Sequence, residues 1–224
     1  MKEIPSNKRN TDFLAGFLRA IRSRDGKLVA DTLSNVASQE DIIPDLLNLT
    51  RLSLPSLPEL KRIVDLIKNG KIQLNQIVSF SYGSVLSHLT KDEIIIFTNE
   101  LLILEPDGIL YALDFLIMYS FGDKEKANSC QSQIRRILMT PGLLLKFHSN
   151  NRIDSYNWQE TCIKLLRERE DKELAHALSI DIVKVCAVKE NIFNLDHAII
   201  SVIRVLLKNY IETSWSIFSN GLLS

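Results

Sequence analysis

Apolar residues recur at helical spacing along almost the whole chain, and no segment shows the strict alternation of a half-buried strand. The first stripe lies on one side of a helix with about 3.6 residues per turn and consists of Phe13, Leu14, Phe17, Leu18 and Ile21. The last stripe predicts one long helix from about Asn194 to Thr213. Only 8 glycines and 6 prolines occur in 224 residues, too few turn residues for a β-sandwich or barrel. The sequence therefore predicts an all-α protein.

Local signals place the starts and surroundings of several helices. Ser56 with Glu59, and Thr90 with Glu93, have the spacing of a capping box, in which two side chains satisfy backbone N–H groups at a helix start. The segment Ile109–Tyr119 is apolar on nearly all sides, which predicts a central helix with neighbours around it.

The pacing of the helices favours one architecture. Connections of about 2–8 residues predict helical hairpins packed in chain order, and one hairpin about every 35–40 residues suits an irregular HEAT-like α-solenoid. A compact multi-helix bundle is the alternative. We expect a single helical-repeat domain over residues 1–224, with a candidate subdomain boundary near 148–154. The apolar end from Trp215 onward predicts a tail that packs back, or a piece cut from a longer chain.

The composition limits which partners and which cellular compartment the sequence predicts. The chain has 27 lysine and arginine residues and 27 aspartate and glutamate residues, so its formal net charge is zero. The overall charge therefore gives no support to nucleic-acid binding. Cys130, Cys162 and Cys186 are widely spaced and suggest neither a disulfide framework nor a zinc site. The start has no apolar signal region, and no apolar stretch reaches the ~20 residues that span a bilayer. We expect a cytoplasmic protein without a membrane segment.

Motifs for common chemistries do not occur in the sequence. Gly122 and Lys124 resemble the end of a phosphate-binding loop, but the first glycine of that motif is absent. The G-x-S-x-G motif of a nucleophile elbow is also absent. Glu173 and His176 are spaced as one half of a di-metal helix pair, but a metal site there needs a second pair and further inward glutamates. We therefore predict no catalysis, no metal and no cofactor. The enzyme alternative would be built around Asp114, or around Glu173 and His176.

Four side chains are candidates for binding a partner. Arg19 and Arg22 belong to residues 1–27, which carry a surplus of positive charge that suits a phosphate backbone or an acidic partner. Tyr82, beside Gly83, predicts an aromatic presented from a loop between two short helices at about 74–80 and 84–89. Asp114 is a carboxylate within the most apolar helix, where it needs a hydrogen bond or a cation. A solvated basic face and structural roles for Tyr82 and Asp114 are the competing interpretations.

Three segments carry a resemblance to a known class of proteins. Asp12–Ile21, Phe80–Gly83 and Gly108–Tyr119 resemble pieces of the helical-repeat regions that follow the ATPase in large bacterial STAND-type proteins. These signal-transduction ATPases include antiphage sensors. The resemblance covers about residues 12–147. It implies an α-solenoid that senses a protein or peptide and signals to an ATPase and an effector elsewhere in a parent chain, and it implies no site residues.

These observations together predict a non-catalytic helical-repeat module for protein interaction, as the sensor part of a larger bacterial signalling or antiphage ATPase. A stacked array suits this role because successive hairpins present one extended surface. Two alternatives stay open. One is a nucleic-acid-binding repeat that uses the basic N-terminal face, and the other is an enzyme in an all-α bundle.

Overall fold

The computed structural model describes residues 10–104, 107–149, 155–168, 170–188 and 196–223. Within these ranges the chain forms helices and turns without a strand, so the predicted all-α class is confirmed. The chain divides after Leu104 into two compact units. The boundary predicted near 148–154 falls mainly on 150–154, outside the described residues.

The first unit holds the helices α1 (Asp12–Ile21), α2 (Gly26–Ala37), α3 (Ile43–Leu52), α4 (Leu57–Lys68) and α5 (Lys91–Leu102). Helices α1 and α2 pack against α3, and α4 packs against α5. Glu40–Ile42 and Leu74–Phe80 are short 3-10 helices. The core of this unit is aliphatic and aromatic, with Leu46, Leu60 and Phe97 almost fully buried.

Both predicted capping boxes form in this unit. The Glu59 carboxylate accepts from the Ser56 backbone N–H at 2.7 Å, and Glu93 accepts from the Thr90 N–H at 2.9 Å. The bonds from the Thr90 backbone and hydroxyl lower the pKa of Glu93, because they favour its charged form. Each box satisfies backbone donors that a helix start otherwise leaves open.

The second unit holds the helices α6 (Gly108–Ser120), α7 (Lys124–Leu138), α8 (Leu143–Ser149), α9 (Ser155–Glu168), α10 (Lys172–Cys186), α11 (Asp196–Asn209) and α12 (Ile211–Leu223). Helix α6 is buried on several sides, as its all-round apolar sequence predicts. Helices stack on their second neighbours: α9 on α11, α8 on α10, and α10 on α12. The starts of α9 and α11, at Ser155 and Asp196, are 41 residues apart.

Two predicted helices differ from the observed ones. The stripe from 194 to 213 predicts one helix, but the structure has two that meet at Tyr210, and 194–195 lie outside the described residues. Tyr210 is buried, and its hydroxyl donates to the Leu166 carbonyl and accepts from the Asp171 N–H. The segment 84–89 forms turns, since Gly83 and Ser84 adopt positive φ angles of 68° and 58° that end a helix.

The buried side of helix α1 is rotated from the predicted stripe: Leu18 of that stripe is buried, but its two phenylalanines are not. The sequence places Phe13 and Phe17 in the inward stripe, but their side chains are 87% and 51% exposed. The buried positions are Ala15 and Leu18, on the side from which Arg22 reaches the next helices. The polar anchoring of Arg22 therefore sets the rotation of α1 and leaves the two phenylalanines outside.

The apolar C-terminal segment packs back onto its own unit. Gly221 of α12 approaches α10 so closely that an added Cβ would clash with a methyl group of Val183. The Ser179 hydroxyl also donates to the Ser214 hydroxyl at 3.0 Å, inside the same contact. Trp215 faces outward and is 60% exposed.

The three cysteines predict a simple chemical test of this fold. Cys130 and Cys162 are completely buried, and burial raises the pKa of the Cys162 thiol because it disfavours the thiolate. Cys186 is exposed. We expect a disulfide reagent at mild alkaline pH to titrate about one thiol in the native chain and all three after denaturation. The variant Cys186→Ser removes the fast native reaction, and a fast reaction that persists in it would contradict this packing.

Candidate functional site

The second unit contains an open cleft of about 610 Å³. The end of α6 forms its floor, and α7 and α9 form its two walls. The lining residues are Ile117, Ser120, Phe121, Gly122, Ala127, Asn128, Gln131, Ile134, Tyr156, Asn157, Glu160, Thr161, Ile163, Lys164, Leu165, Arg167 and Glu168. A cleft of this size accommodates several side chains of a partner.

Two aromatic side chains that line the cleft are largely exposed to solvent. Phe121 is 79% exposed at the end of α6, where Gly122 turns the chain with a φ of 75°. Tyr156 is 59% exposed in the first turn of α9. Large aromatic residues at a concave surface are the groups that contribute most to binding energy in protein interfaces.

Side-chain amides come from both walls of the cleft. Asn128 and Gln131 lie on α7, and Asn157 lies on α9. An amide side chain both donates and accepts hydrogen bonds, so it matches the N–H and C=O groups of a polypeptide backbone. Asn157 is oriented from behind, since its amide donates to the Asp114 carboxylate at 3.3 Å. Asp114 is half-buried and does not line the cleft, so it positions a lining residue.

The charges in the cleft are mixed. Glu160 and Glu168 accompany Lys164 and Arg167 on α9, and the Lys164 ammonium lies 4.0 Å from the Glu168 carboxylate. Such alternation gives no strong field of either sign. The cleft therefore offers apolar and hydrogen-bonding recognition, with no concentration of positive charge for a phosphate backbone.

The α7 wall is anchored to the start of α10. The Arg135 guanidinium donates to the Asp171 carboxylate at 2.9 Å and to the Glu173 carboxylate at 2.8 Å. Asp171, and then Glu173, raise the pKa of Arg135 because both favour its charged form. Asp171 also caps α10 by accepting from the Leu174 N–H. This network ties the position of α7 to the first turn of α10.

The predicted basic residues have separate surroundings. Arg19 is exposed in the last turn of α1. Arg22 turns inward instead, and donates to the backbone and hydroxyl oxygens of Ser53 and to the Glu59 carboxylate. The structure thus does not present the two arginines on one free face.

The other sequence candidates lie apart from the cleft. Tyr82 is 57% exposed on a turn of the first unit. Glu173 pairs with Arg135, and His176 is exposed on α10. Within the described residues, no group of three or more histidine, cysteine, aspartate or glutamate side chains is placed to hold a metal ion. Nor does any described helix have the length and apolarity to cross a bilayer.

Sequence reasoning missed both cleft aromatics, although a signal for each exists. Phe121 directly precedes Gly122 at the end of an apolar helix, where no inward position remains for it. Tyr156 is out of phase with the inward stripe of α9, which contains Trp158, Cys162 and Leu165. Aromatic residues that miss the stripe of their own helix are candidates for surface contacts.

Comparisons of this chain with family models, curated proteins and solved structures give no match. The resemblance to the repeat regions of STAND-type ATPases therefore depends on the three quoted segments alone. The features that indicate a function are those of the cleft.

Proposed function

We propose that this chain is a non-catalytic helical-repeat module that binds an extended polypeptide segment in the cleft between α7 and α9. The main support for this proposal is the pair of solvent-exposed aromatics, Phe121 and Tyr156, in a cleft that also contains side-chain amides on both walls. The aromatics take an apolar side chain of the partner, and the amides bond its backbone.

Contacts inside each unit support the HEAT-like form of this proposal. In the second unit, side-chain bonds join residues 39 apart at Gly142 and Asp181, and 35 apart at Ser179 and Ser214. In the first unit, Arg22 and Glu59 are joined over 37 residues. Bonds at this separation link one helical hairpin to the next, as in a repeat array.

A polypeptide suits the cleft better than a nucleic acid does. The charges on α9 balance, and Arg22 of the basic N-terminal region is bound to Glu59. Binding to a phosphate backbone needs several free cations, and its affinity falls steeply with salt. A partner held by aromatics and amides keeps most of its affinity when salt is raised.

The test is selection of peptides on the full chain, followed by measurement of their affinities. Random peptides displayed on phage are selected against the immobilised protein, and enriched sequences are labelled for fluorescence anisotropy at low and moderate salt. We expect Phe121→Ala with Tyr156→Ala to weaken binding at least about 30-fold, since buried aromatic anchors contribute about 2 kcal/mol or more.

Tyr82→Ala is the matched control, because it removes an aromatic of similar exposure from the other unit. We expect it to change affinity less than about twofold. Failure to enrich peptides, or enriched peptides that bind the cleft variant normally, would contradict the proposal. Binding of labelled RNA or DNA that is lost at moderate salt and on Arg19→Glu would favour the nucleic-acid alternative.

The resemblance supplies a setting for this activity. We propose a cytoplasmic sensor region of a larger bacterial signalling or antiphage ATPase, in which occupancy of the cleft by a foreign polypeptide is the signal. Fusion of the chain to a reporter in bacteria, with and without phage challenge, tests this setting separately from peptide binding.

A further inference from the structure

Helix α1 presents an apolar face that is largely exposed. Phe13 and Phe17, one turn apart, are 87% and 51% exposed. Gly16 and Ala20 lie on the same side of the helix and are also exposed. The opposite side of α1 carries Leu18, which is buried. Two exposed phenylalanines on one short helix indicate a contact surface, because exposed aromatics are normally scattered singly.

Charges of opposite sign flank this face on the same side of the helix. Asp12 and Arg19 are seven residues apart, so at about 100° per residue they share one flank and lie about 10 Å apart along the axis. Both are exposed. Arg19 makes no hydrogen bond or ion pair with any residue that the structure describes. Asp12 accepts a bond from the Asn48 amide at 3.1 Å, and its carboxylate has acceptor capacity left for a second donor.

We infer that α1 binds α1 of a second copy of this chain, antiparallel and across a two-fold axis near Gly16. In an antiparallel two-fold pair, each flank of a helix meets the same flank of its partner. Asp12 then faces the partner's Arg19, and Arg19 faces the partner's Asp12. The face is therefore complementary to itself in charge.

The apolar contacts and the charges place the axis at positions within half a residue of each other. The midpoint of Phe13 and Phe17 is Ala15, and the midpoint of Asp12 and Arg19 falls between Ala15 and Gly16. One axis therefore sets Phe13 against the partner's Phe17 and satisfies both ion pairs. At the crossing point, Gly16 has no atom within 4 Å of an added Cβ, so the partner's backbone can approach closely.

The pair is expected to be weak and reversible. A single helix of ten residues buries less than the ~1,200 Å² of a standard stable interface, which places it in the transient class. This surface lies in the first unit and does not depend on the peptide cleft. The two proposals are therefore tested separately.

The experiment is sedimentation equilibrium of the full chain up to about 500 µM, a range chosen for a transient interface. We expect the mean mass to rise from 25.5 kDa toward twice that value as concentration increases. Phe17→Glu is expected to abolish the rise. Asp12→Arg alone and Arg19→Asp alone are each expected to weaken the dimer about tenfold, because each creates two like-charge contacts.

Restored association is the decisive control. In an equimolar mixture of the variants Asp12→Arg and Arg19→Asp, a mixed dimer sets the introduced arginine against the introduced aspartate at one contact. The other contact keeps the native Arg19 of one chain against the native Asp12 of its partner, so we expect near wild-type association. The double variant is expected to recover in the same way.

Three results would overturn the inference. The first is a wild-type chain that stays monomeric over the whole concentration range. The second is a dimer that is insensitive to Phe17→Glu, since the apolar face would then lie outside the contact. The third is a mixture of the two charge variants that does not recover, since the charges would then not face each other.

Discussion

Arg22→Met is expected to lower the free energy of unfolding of the first unit by about 3–5 kcal/mol, because it leaves the Glu59 carboxylate buried without its cation. The Glu59 side chain is only 1% exposed, and the Arg22 guanidinium lies 3.0 Å from it. The same guanidinium donates to the carbonyl and hydroxyl oxygens of Ser53. The loss therefore strands a buried charge and two further acceptors at once.

The network also fixes a strained turn. Leu54, between α3 and α4, has a positive φ of 61°, a conformation that costs a residue with a side chain about 1 kcal/mol or more. Ser53 on one side of it is held by Arg22, and Ser56 on the other side is held by Glu59. Removal of Arg22 is expected to let this turn relax, which recovers part of the strain and places the variant toward the lower end of the range.

Urea denaturation followed by far-ultraviolet circular dichroism measures the change, and hydrogen exchange of peptides from α1, α3 and α4 localises it. Arg24→Met is the matched control, since Arg24 is exposed and the expected change is within about 0.5 kcal/mol. Arg22→Met with Glu59→Gln is expected to be more stable than Arg22→Met alone, because no charge is then stranded. Equal effects of Arg22→Met and Arg24→Met would contradict the role of the pair.

Helix positions were predictable because each depends on signals within about one helical turn. The capping boxes at Ser56 and Thr90 set the starts of α4 and α5, and the apolar stretch after Gly108 forms the buried helix α6. The division at Tyr210 was not predictable from periodicity. At this position the Tyr210 hydroxyl donates to the Leu166 carbonyl and accepts from the Asp171 N–H, and both partners lie about 40 positions earlier.

Side-chain roles were harder to predict, since they depend on which face of a helix turns inward. Helix α1 has two faces with apolar residues, and the polar contact of Arg22 with Glu59 selects the one that is buried. The exposure of Phe13 and Phe17 follows from that choice. The sequence indicates that Asp114 needs a partner, but a residue that bonds to it, Asn157, lies 43 positions away.

The cleft is a product of packing between helices, so no local motif predicts it. Its walls are α7 and α9, which both pack on α6, and α7 is also tied to the start of α10 by the bonds of Arg135 to Asp171. Sequence reasoning finds the members of such a site only as residues left over from their own helical stripes, as with Tyr156. This explains why the fold class could be predicted and the candidate site could not.

The second unit also contains a buried carboxylate that is hydrogen-bonded to another helix, at Asp181. This carboxylate is 4% exposed on α10, and it accepts from the backbone N–H groups of Gly142 at 2.6 Å and Leu144 at 2.8 Å. Both donors lie at the start of α8, where helix N–H groups have no partner within the helix. The positive end of the helix dipole adds to the attraction. Asp181 therefore caps α8 from another helix.

Asp181→Ala is expected to lower the free energy of unfolding of the second unit by about 2–4 kcal/mol, because each abandoned buried donor costs about 1–3 kcal/mol. Both tryptophans, Trp158 and Trp215, lie in this unit, so fluorescence during urea denaturation reports its unfolding. We expect hydrogen exchange to accelerate at 142–147. Asp31→Ala, at an exposed mid-helix position, is the control and is expected to change stability by less than about 0.5 kcal/mol.

Asp181→Asn separates the cap from the space that the side chain fills. An amide has nearly the same shape but keeps only one acceptor, so one backbone N–H is satisfied and the other faces an N–H₂ group. We expect the free energy of unfolding of Asp181→Asn to lie between those of wild type and Asp181→Ala. Protection from hydrogen exchange is expected at only one of the Gly142 and Leu144 amides. If Asp181→Asn matched wild type, packing and not hydrogen bonding would hold α8, and the cap would have no energetic role.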